Sequence, residues 1–159
     1  MWYFGYGSNM DLDDLRKWCE RAGRPAVRPR RVEPAVLRDY RLCFNYYSNG
    51  RRGGAANIVY APGDAVYGLV MDLSPTDFAT VSAKEGAPRY YRQTVVTVER
   101  FDGVLLSGVR SFQVTDGRQT DDHQPPTPAY LDLIVRNAKR YGFPPSYVGM
   151  LEGVVTAEA

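Results

Sequence analysis

Few side chains in this sequence could carry chemistry. There is one histidine, His123, and there are two cysteines, Cys19 and Cys43. Their spacing does not build a zinc site. No Walker-type phosphate loop occurs, and Gly5-Tyr6-Gly7 does not continue to the third glycine of a dinucleotide fingerprint. A serine triad would have to recruit His123 for Ser8. What remains is carboxylate acid/base work supported by backbone and hydroxyl donors. Glu85 is the best carboxylate on local grounds. It falls at the C-terminal end of an expected helix, where the helix dipole disfavours negative charge. Tyr90 and Tyr91 follow closely and could desolvate it. Both effects raise a carboxylate pKa towards the useful range for a general acid/base. The alternative is a solvated helix-end residue.

The second candidate is a turn, Tyr6-Gly7-Ser8-Asn9-Met10. The apolar run Trp2-Tyr3-Phe4 reads as a short buried strand that ends in it. Glycine permits close approach of a ligand to the backbone, and the free N–H groups of such a turn can hold an anion or a developing oxyanion. A plain turn of Gly, Ser and Asn fits the same residues.

These groups need elements to position them. Leu12, Leu15 and Trp18 share a face of a helix starting at Asp11. Residues 32–47 read as two extended pieces, with Pro34 arguing against a central strand at its own position. A glycine-rich loop spans residues 48–54. A short strand follows over 55–61, then a turn at Pro62-Gly63-Asp64 and an apolar, doubly covered strand over 65–73. Ser74 caps a second helix, with Pro75 at its first position and Gly86 and Pro88 beyond its end. Residues 89–100 and 104–114 form a hairpin, and a long surface loop spans 115–126. Thr127 and Pro128 open a third helix carrying Leu131, Ile134, Val135, Ala138 and Tyr141. A short last helix follows Pro144. The pattern predicts an α+β fold with a curved or closed mixed sheet. It predicts one domain over residues 1–153 and a loose tail over 154–159.

Composition narrows the function classes. A net charge of +2 over 159 residues offers no strong polyanion partner. The arginines between positions 21 and 41 read as a basic sheet edge, because stacked aromatics do not separate them. No apolar run approaches a membrane span. The chain opens directly into strand sequence rather than a secretion signal. With two scattered cysteines, the expected compartment is the reducing cytoplasm. No nucleic acid, membrane or cofactor is expected, and a homodimer is compatible with the sequence.

Several stretches together resemble the gamma-glutamylcyclotransferase family. They are Tyr3-Phe4-Gly5-Tyr6-Gly7-Ser8-Asn9-Met10; Gly53-Gly54-Ala55-Ala56-Asn57-Ile58 with Pro62-Gly63-Asp64-Ala65-Val66-Tyr67-Gly68-Leu69-Val70; Lys84-Glu85-Gly86 before Tyr90-Tyr91; Arg110-Ser111-Phe112; and Pro125-Pro126-Thr127-Pro128-Ala129-Tyr130. They occur in the family's order and cover nearly the whole chain. The resemblance implies a barrel-like sheet with about three flanking helices and a cavity at one end. It implies a reaction without cofactor, in which the α-amine of a small gamma-glutamyl substrate attacks its own γ-carbonyl. The products are 5-oxoproline and an amino acid or amine. By the same resemblance Glu85 is the catalytic glutamate. Gly7, Ser8, Asn9 and Met10 offer N–H groups to substrate, Tyr6 forms wall or support, and Tyr130 lines the pocket. Phe112 departs from the tyrosine found in many members, which bears on the choice of substrate. The loops at residues 49–54 and 119–126 are expected to border the mouth. A larger gamma-glutamylated amine as substrate, or a non-catalytic binder of the same fold, is also compatible with the sequence.

Overall fold

The computed structural model of the chain describes residues 1–158. Five strands close into a barrel: β1 (Trp2–Gly5), β2 (Val32–Ser48), β3 (Gly53–Asp72), β4 (Tyr91–Arg100) and β5 (Leu105–Val114). Their order around the barrel is β1-β3-β2-β4-β5. Neighbours are antiparallel except β1 and β5, which run parallel where Tyr3 meets Arg110. Four α-helices accompany the barrel: α1 (Leu12–Ala22), α2 (Pro75–Lys84), α3 (Pro128–Arg140) and α4 (Pro145–Glu152). This is the α+β, barrel-like sheet that the pattern predicts.

The apolar run in β3 behaves as a doubly covered strand should. Leu69, Val70 and Met71 are consecutive, so their side chains point to both faces, and all three are fully buried. The turn expected at Pro62-Gly63-Asp64 is instead a wide bulge within β3. Arg38 pairs with Ala65 and Tyr40 with Tyr60, so residues 61–64 bulge out opposite the single residue Asp39. Two left-handed backbones make this feasible, Asp39 at φ 66° and Gly63 at φ 90°. The Gly63 N–H donates to Asp39 Oδ1 at 3.0 Å. The ladder then resumes with the same partner, so the two expected pieces of residues 32–47 are one strand. Pro34 fits inside it because its carbonyl, bonded by the Phe101 N–H at 3.3 Å, faces the end of the short β2–β4 ladder. The missing proline N–H lies on that same side.

Local chemistry sets the helix starts. Ser74 and Thr127 accept from the N–H groups of Asp77 and Tyr130, and proline opens both helices. Asp11 caps α1 through the Asp14 N–H at 2.8 Å. The buried stripe of α1 runs through Leu15 and Cys19 with Trp18 beside it. Leu12 is 37% exposed, because the first turn of the helix projects beyond the edge of that contact.

Within the stretch 154–159, expected to be loose, Val154, Val155 and Ala157 contact the rest of the fold, and Ala159 lies outside the described residues. The Ala157 N–H donates to the Pro126 carbonyl at 2.8 Å, and His123 Nε2 contacts the Val155 carbonyl at 2.8 Å. Val154 packs against the core. Gly149, inside α4, has open space where a Cβ would lie. Gly149→Ala should therefore stabilise the protein by about 0.5–1 kcal/mol, read as a higher urea midpoint, because alanine loses less backbone entropy in a helix.

Candidate active site

A cavity of about 490 Å3 lies where the end of β1, the end of α2, the start of α3 and the β2–β3 loop converge. Its floor begins with Tyr6. This ring is buried, and its hydroxyl donates to the Phe112 carbonyl on β5 at 2.6 Å, which anchors the chain just before the turn. A single 3-10 turn, Ser8–Met10, then leads into α1. Gly7, Ser8 and Asn9 line the cavity. No hydrogen-bond partner among the described residues takes up their N–H groups. Met10 does not share this role. Its N–H donates to the Gly7 carbonyl at 3.1 Å, and its side chain is in the core, outside the cavity lining. The 3-10 turn uses up that donor, so the expected set of N–H groups shortens by one.

Gly7 must be small. A Cβ there would lie 3.3 Å from the Ala56 Cβ and 3.5 Å from the Tyr130 hydroxyl. Tyr130 itself stands at the start of α3. Its hydroxyl accepts from the Ala56 N–H at 3.0 Å, and the Arg51 guanidinium sits 5.3 Å over its ring. Burial pushes the phenol up to about 12, so it keeps its proton, and that proton has no acceptor among the described residues. Tyr91 donates to the Ala56 carbonyl at 2.7 Å. One peptide unit of β3 on each side of Ala56 is thus clamped between two tyrosines of the wall.

Glu85 follows the last residue of α2, and its N–H closes the helix on the Val81 carbonyl at 3.0 Å. Gly86 then turns left-handed at φ 66°, and a Cβ on it would strike the Tyr90 ring at 2.7 Å. This turn ends the helix at the cavity and leaves the carboxylate inside it. Asn9 Nδ2 donates to Glu85 Oε1 at 2.7 Å and to the Tyr3 hydroxyl at 3.1 Å. Burial raises the Glu85 pKa, and the positive charges of Lys84 and Arg51 only partly offset it. Glu85, Asn9, Ser8, Gly7, Tyr6 and Tyr130 all line this one cavity.

The charged frame behind them has no counterpart among the candidates drawn from the sequence. Asp14 receives both arms of Arg51, at 2.8 and 3.2 Å, and Lys84 Nζ at 3.2 Å. Burial works to raise Asp14, but the Arg51 hydrogen bond and the Lys84 charge outweigh it and hold the carboxyl below its usual range. Lys84 is pushed down by burial against the pull of Asp14 and Glu85. Its position beside Glu85 was visible in the sequence. Its partners lie 70 or more residues away and were not.

Phe112 is almost fully buried and stacks on Phe78, with ring centroids 5.8 Å apart. It contributes an apolar patch to the wall and no donor. Of the two loops expected at the mouth, only the first borders it, through Asn49, Gly50 and Arg51. Residues 119–123 line a separate hollow, and the Pro125 carbonyl is taken by the Gly54 N–H at 2.9 Å behind the wall. That bond draws the second loop away from the opening. Among the described residues, no three His, Cys, Asp or Glu side chains group as metal ligands would.

Known proteins are similar to this chain along most of its length. Gamma-glutamylcyclotransferase of Bos taurus is 29% identical over 157 residues, 96% of this chain and 77% of that protein. The Homo sapiens gamma-glutamylcyclotransferase is 28% identical over 158 residues with the same coverage. A solved structure of a gamma-glutamyl cyclotransferase superposes with a TM-score of 0.81 at 25% identity, over 100% of this chain and 90% of that one. The model of the AIG2-like family matches residues 65–151, more than half of the chain. Because that match takes in both Glu85 and Tyr130, and three of the five strands in whole or part, the chain belongs to the AIG2-like family.

Proposed function

We propose that this chain is a gamma-glutamylcyclotransferase with Glu85 as its catalytic base and acid. The observation that carries the proposal is one pairing: a carboxylate of raised pKa faces, across a cavity, a turn whose N–H groups are free. In the reaction the substrate's α-ammonium gives a proton to Glu85. The freed amine attacks the γ-carbonyl, a ring C–N bond forms, and the oxygen becomes an oxyanion. The unpaired N–H groups of Gly7, Ser8 and Asn9, residues that line the cavity, supply electrostatic stabilisation. Glu85 returns a proton to the departing nitrogen, and the oxyanion re-forms the carbonyl as the original amide C–N bond breaks. The ring nitrogen gives its second proton to Glu85, and 5-oxoproline is released while the departing amine takes that proton up. No enzyme nucleophile is required, because attack within one molecule already has a high effective concentration. The Tyr130 hydroxyl, with its proton free, donates to the glutamyl head.

The leaving amine points to the mouth, where Arg21, Asn49 and Gly50 are exposed. Cys19 and Cys43 are free thiols, which fits the proposed cytoplasmic location.

Incubation with gamma-glutamyl-alanine and a panel of gamma-glutamyl amines should produce 5-oxoproline. No product across the panel would leave the chain as a non-catalytic binder. The pH profile carries a second expectation. Glu85 must be ionised to take the first proton, and its pKa is raised. The acidic limb of kcat/KM should therefore lie above the ordinary carboxylate range, with activity rising through it as pH increases. A limb at or below that range would contradict Glu85 as the base.

A further inference from the structure

We infer that Lys84 is a positioning residue, which locks the Asn9 side-chain amide so that its N–H side is presented to Glu85. The inference rests on the cyclotransferase reading for its kinetic consequences, though not for its geometry. Lys84 Nζ donates to Asn9 Oδ1 at 2.5 Å, and on the other side of the same amide Nδ2 donates to Glu85 Oε1 at 2.7 Å. With an ammonium at one end and a carboxylate at the other, only one orientation of the amide satisfies both. The reverse orientation would set its oxygen against the carboxylate and its N–H group against the ammonium. Lys84 also donates to Asp14 Oδ2 at 3.2 Å and reaches Ser8 Oγ at 3.5 Å. Two of its protons are thus taken by Asn9 and Asp14, the third lies towards Ser8, and its side chain is only 6% exposed. Its shortest bond is the one to Asn9, so it acts through Asn9.

The chain of contacts also links the two halves of the site. Asn9 belongs to the turn that presents free N–H groups, and Glu85 ends α2. Lys84 bonds across both and so sets their separation. The groups that face Glu85 are Tyr3 from β1, Tyr6 before the turn, and Arg51 from the β2–β3 loop. Tyr46 comes from β2, Tyr91 from β4 and Tyr130 from α3. The tyrosines are neutral phenols, so Lys84 and Arg51 are the cations that balance the carboxylate.

The test is Lys84→Met, which keeps the length of the side chain and removes its charge and donors. Asp14 retains both arms of Arg51, so the buried carboxylate keeps a partner. First, the Glu85 carboxyl is titrated by carbon-13 NMR in protein free of substrate. Its midpoint should rise by about one pH unit in the variant. An unmoved midpoint would overturn the proposal. Second, kcat for gamma-glutamyl-alanine should fall about tenfold to a hundredfold, with KM little changed. The same substitution in an Asn9→Ala background should cost far less. Equal losses in both backgrounds would show that Lys84 does not act through Asn9. Lys84→Arg, which restores charge and donors, should return the midpoint towards that of the wild type; a shift as large as that of the methionine variant would count against the proposal. The titration needs no turnover. An inactive protein would therefore refute the cyclotransferase reading while the role of Lys84 is still decided.

Discussion

Glu85→Gln should lower turnover by about 10²–10⁴-fold and leave the protein folded. Glutamine has the same shape and keeps an oxygen for the Asn9 N–H, which now contacts Glu85 at 2.7 Å. The cavity should hold its form. What disappears is the group proposed to accept a proton from the α-ammonium and to return one to the leaving nitrogen. Stability should change little, since two effects oppose one another. Removing a carboxylate whose charged form burial disfavours is favourable, while Lys84 and Arg51 lose one counter-charge. Both cations keep Asp14. Steady-state kinetics and a thermal melt on the same preparation check both parts. Near-normal turnover would refute the assigned role, whatever the melt shows.

Gly68→Ala should destabilise the protein by about 3 kcal/mol and reduce activity with it. Gly68 lies in β3, paired with Ala35 on β2 and next to β1. A Cβ at this position would lie 2.4 Å from the Gly5 carbonyl oxygen and 2.7 Å from the Phe4 ring. The first of these is backbone and cannot rotate away. Strand β1 would have to separate from β3, and Gly5 immediately precedes Tyr6 and the turn. Hence the loss should appear in two readouts, a lower urea midpoint and a lower kcat. Gly149→Ala, with open space at its Cβ, moves the midpoint in the other direction. A Gly68→Ala protein with an unchanged midpoint would contradict the β1–β3 packing described above.

What could be read from the sequence depended on how far apart the interacting residues lie. The caps at Ser74 and Thr127 bond to residues three positions on, so their local signals were sufficient. The β4–β5 hairpin turns at Phe101-Asp102-Gly103-Val104 for the same reason, with Gly103 at φ 88°. Pro62-Gly63-Asp64 carries equally good turn chemistry, yet the chain does not reverse there. Whether such a segment turns or bulges depends on the partner strand, and Asp39 with its positive φ completes the bulge from β2. The tail shows the same limit, since its anchors at His123 and Pro126 lie about 30 residues back.

The site divides along the same line. Glu85 and the turn from Tyr6 to Asn9 were legible as residue types in suggestive local settings. The resemblance put them together, and in the structure they line one cavity, with Asn9 Nδ2 within hydrogen-bond distance of Glu85. Met10 belonged to the motif but not to the donor set, because a 3-10 hydrogen bond to Gly7 consumes its N–H. Asp14 carried no signal of its own, and Lys84 and Arg51 were visible only as the neighbour of Glu85 and as part of the loop expected at the mouth. Charged residues on helices and loops are common, and only the closed barrel brings α1, the β2–β3 loop and α2 together around them. Besides the contact of Lys84 with Asn9, Lys84 and Arg51 keep positive charge near a carboxylate that burial would otherwise protonate more strongly, and Asp14 holds both cations in place.

The central claim is that the substrate's own amine, rather than water, attacks the γ-carbonyl. Reaction of gamma-glutamyl-alanine in oxygen-18 water, followed by mass spectrometry of the glutamyl product, tests it most directly. The predicted product is 5-oxoproline carrying no oxygen-18. Glutamate carrying one oxygen-18 would show attack by water and contradict the account.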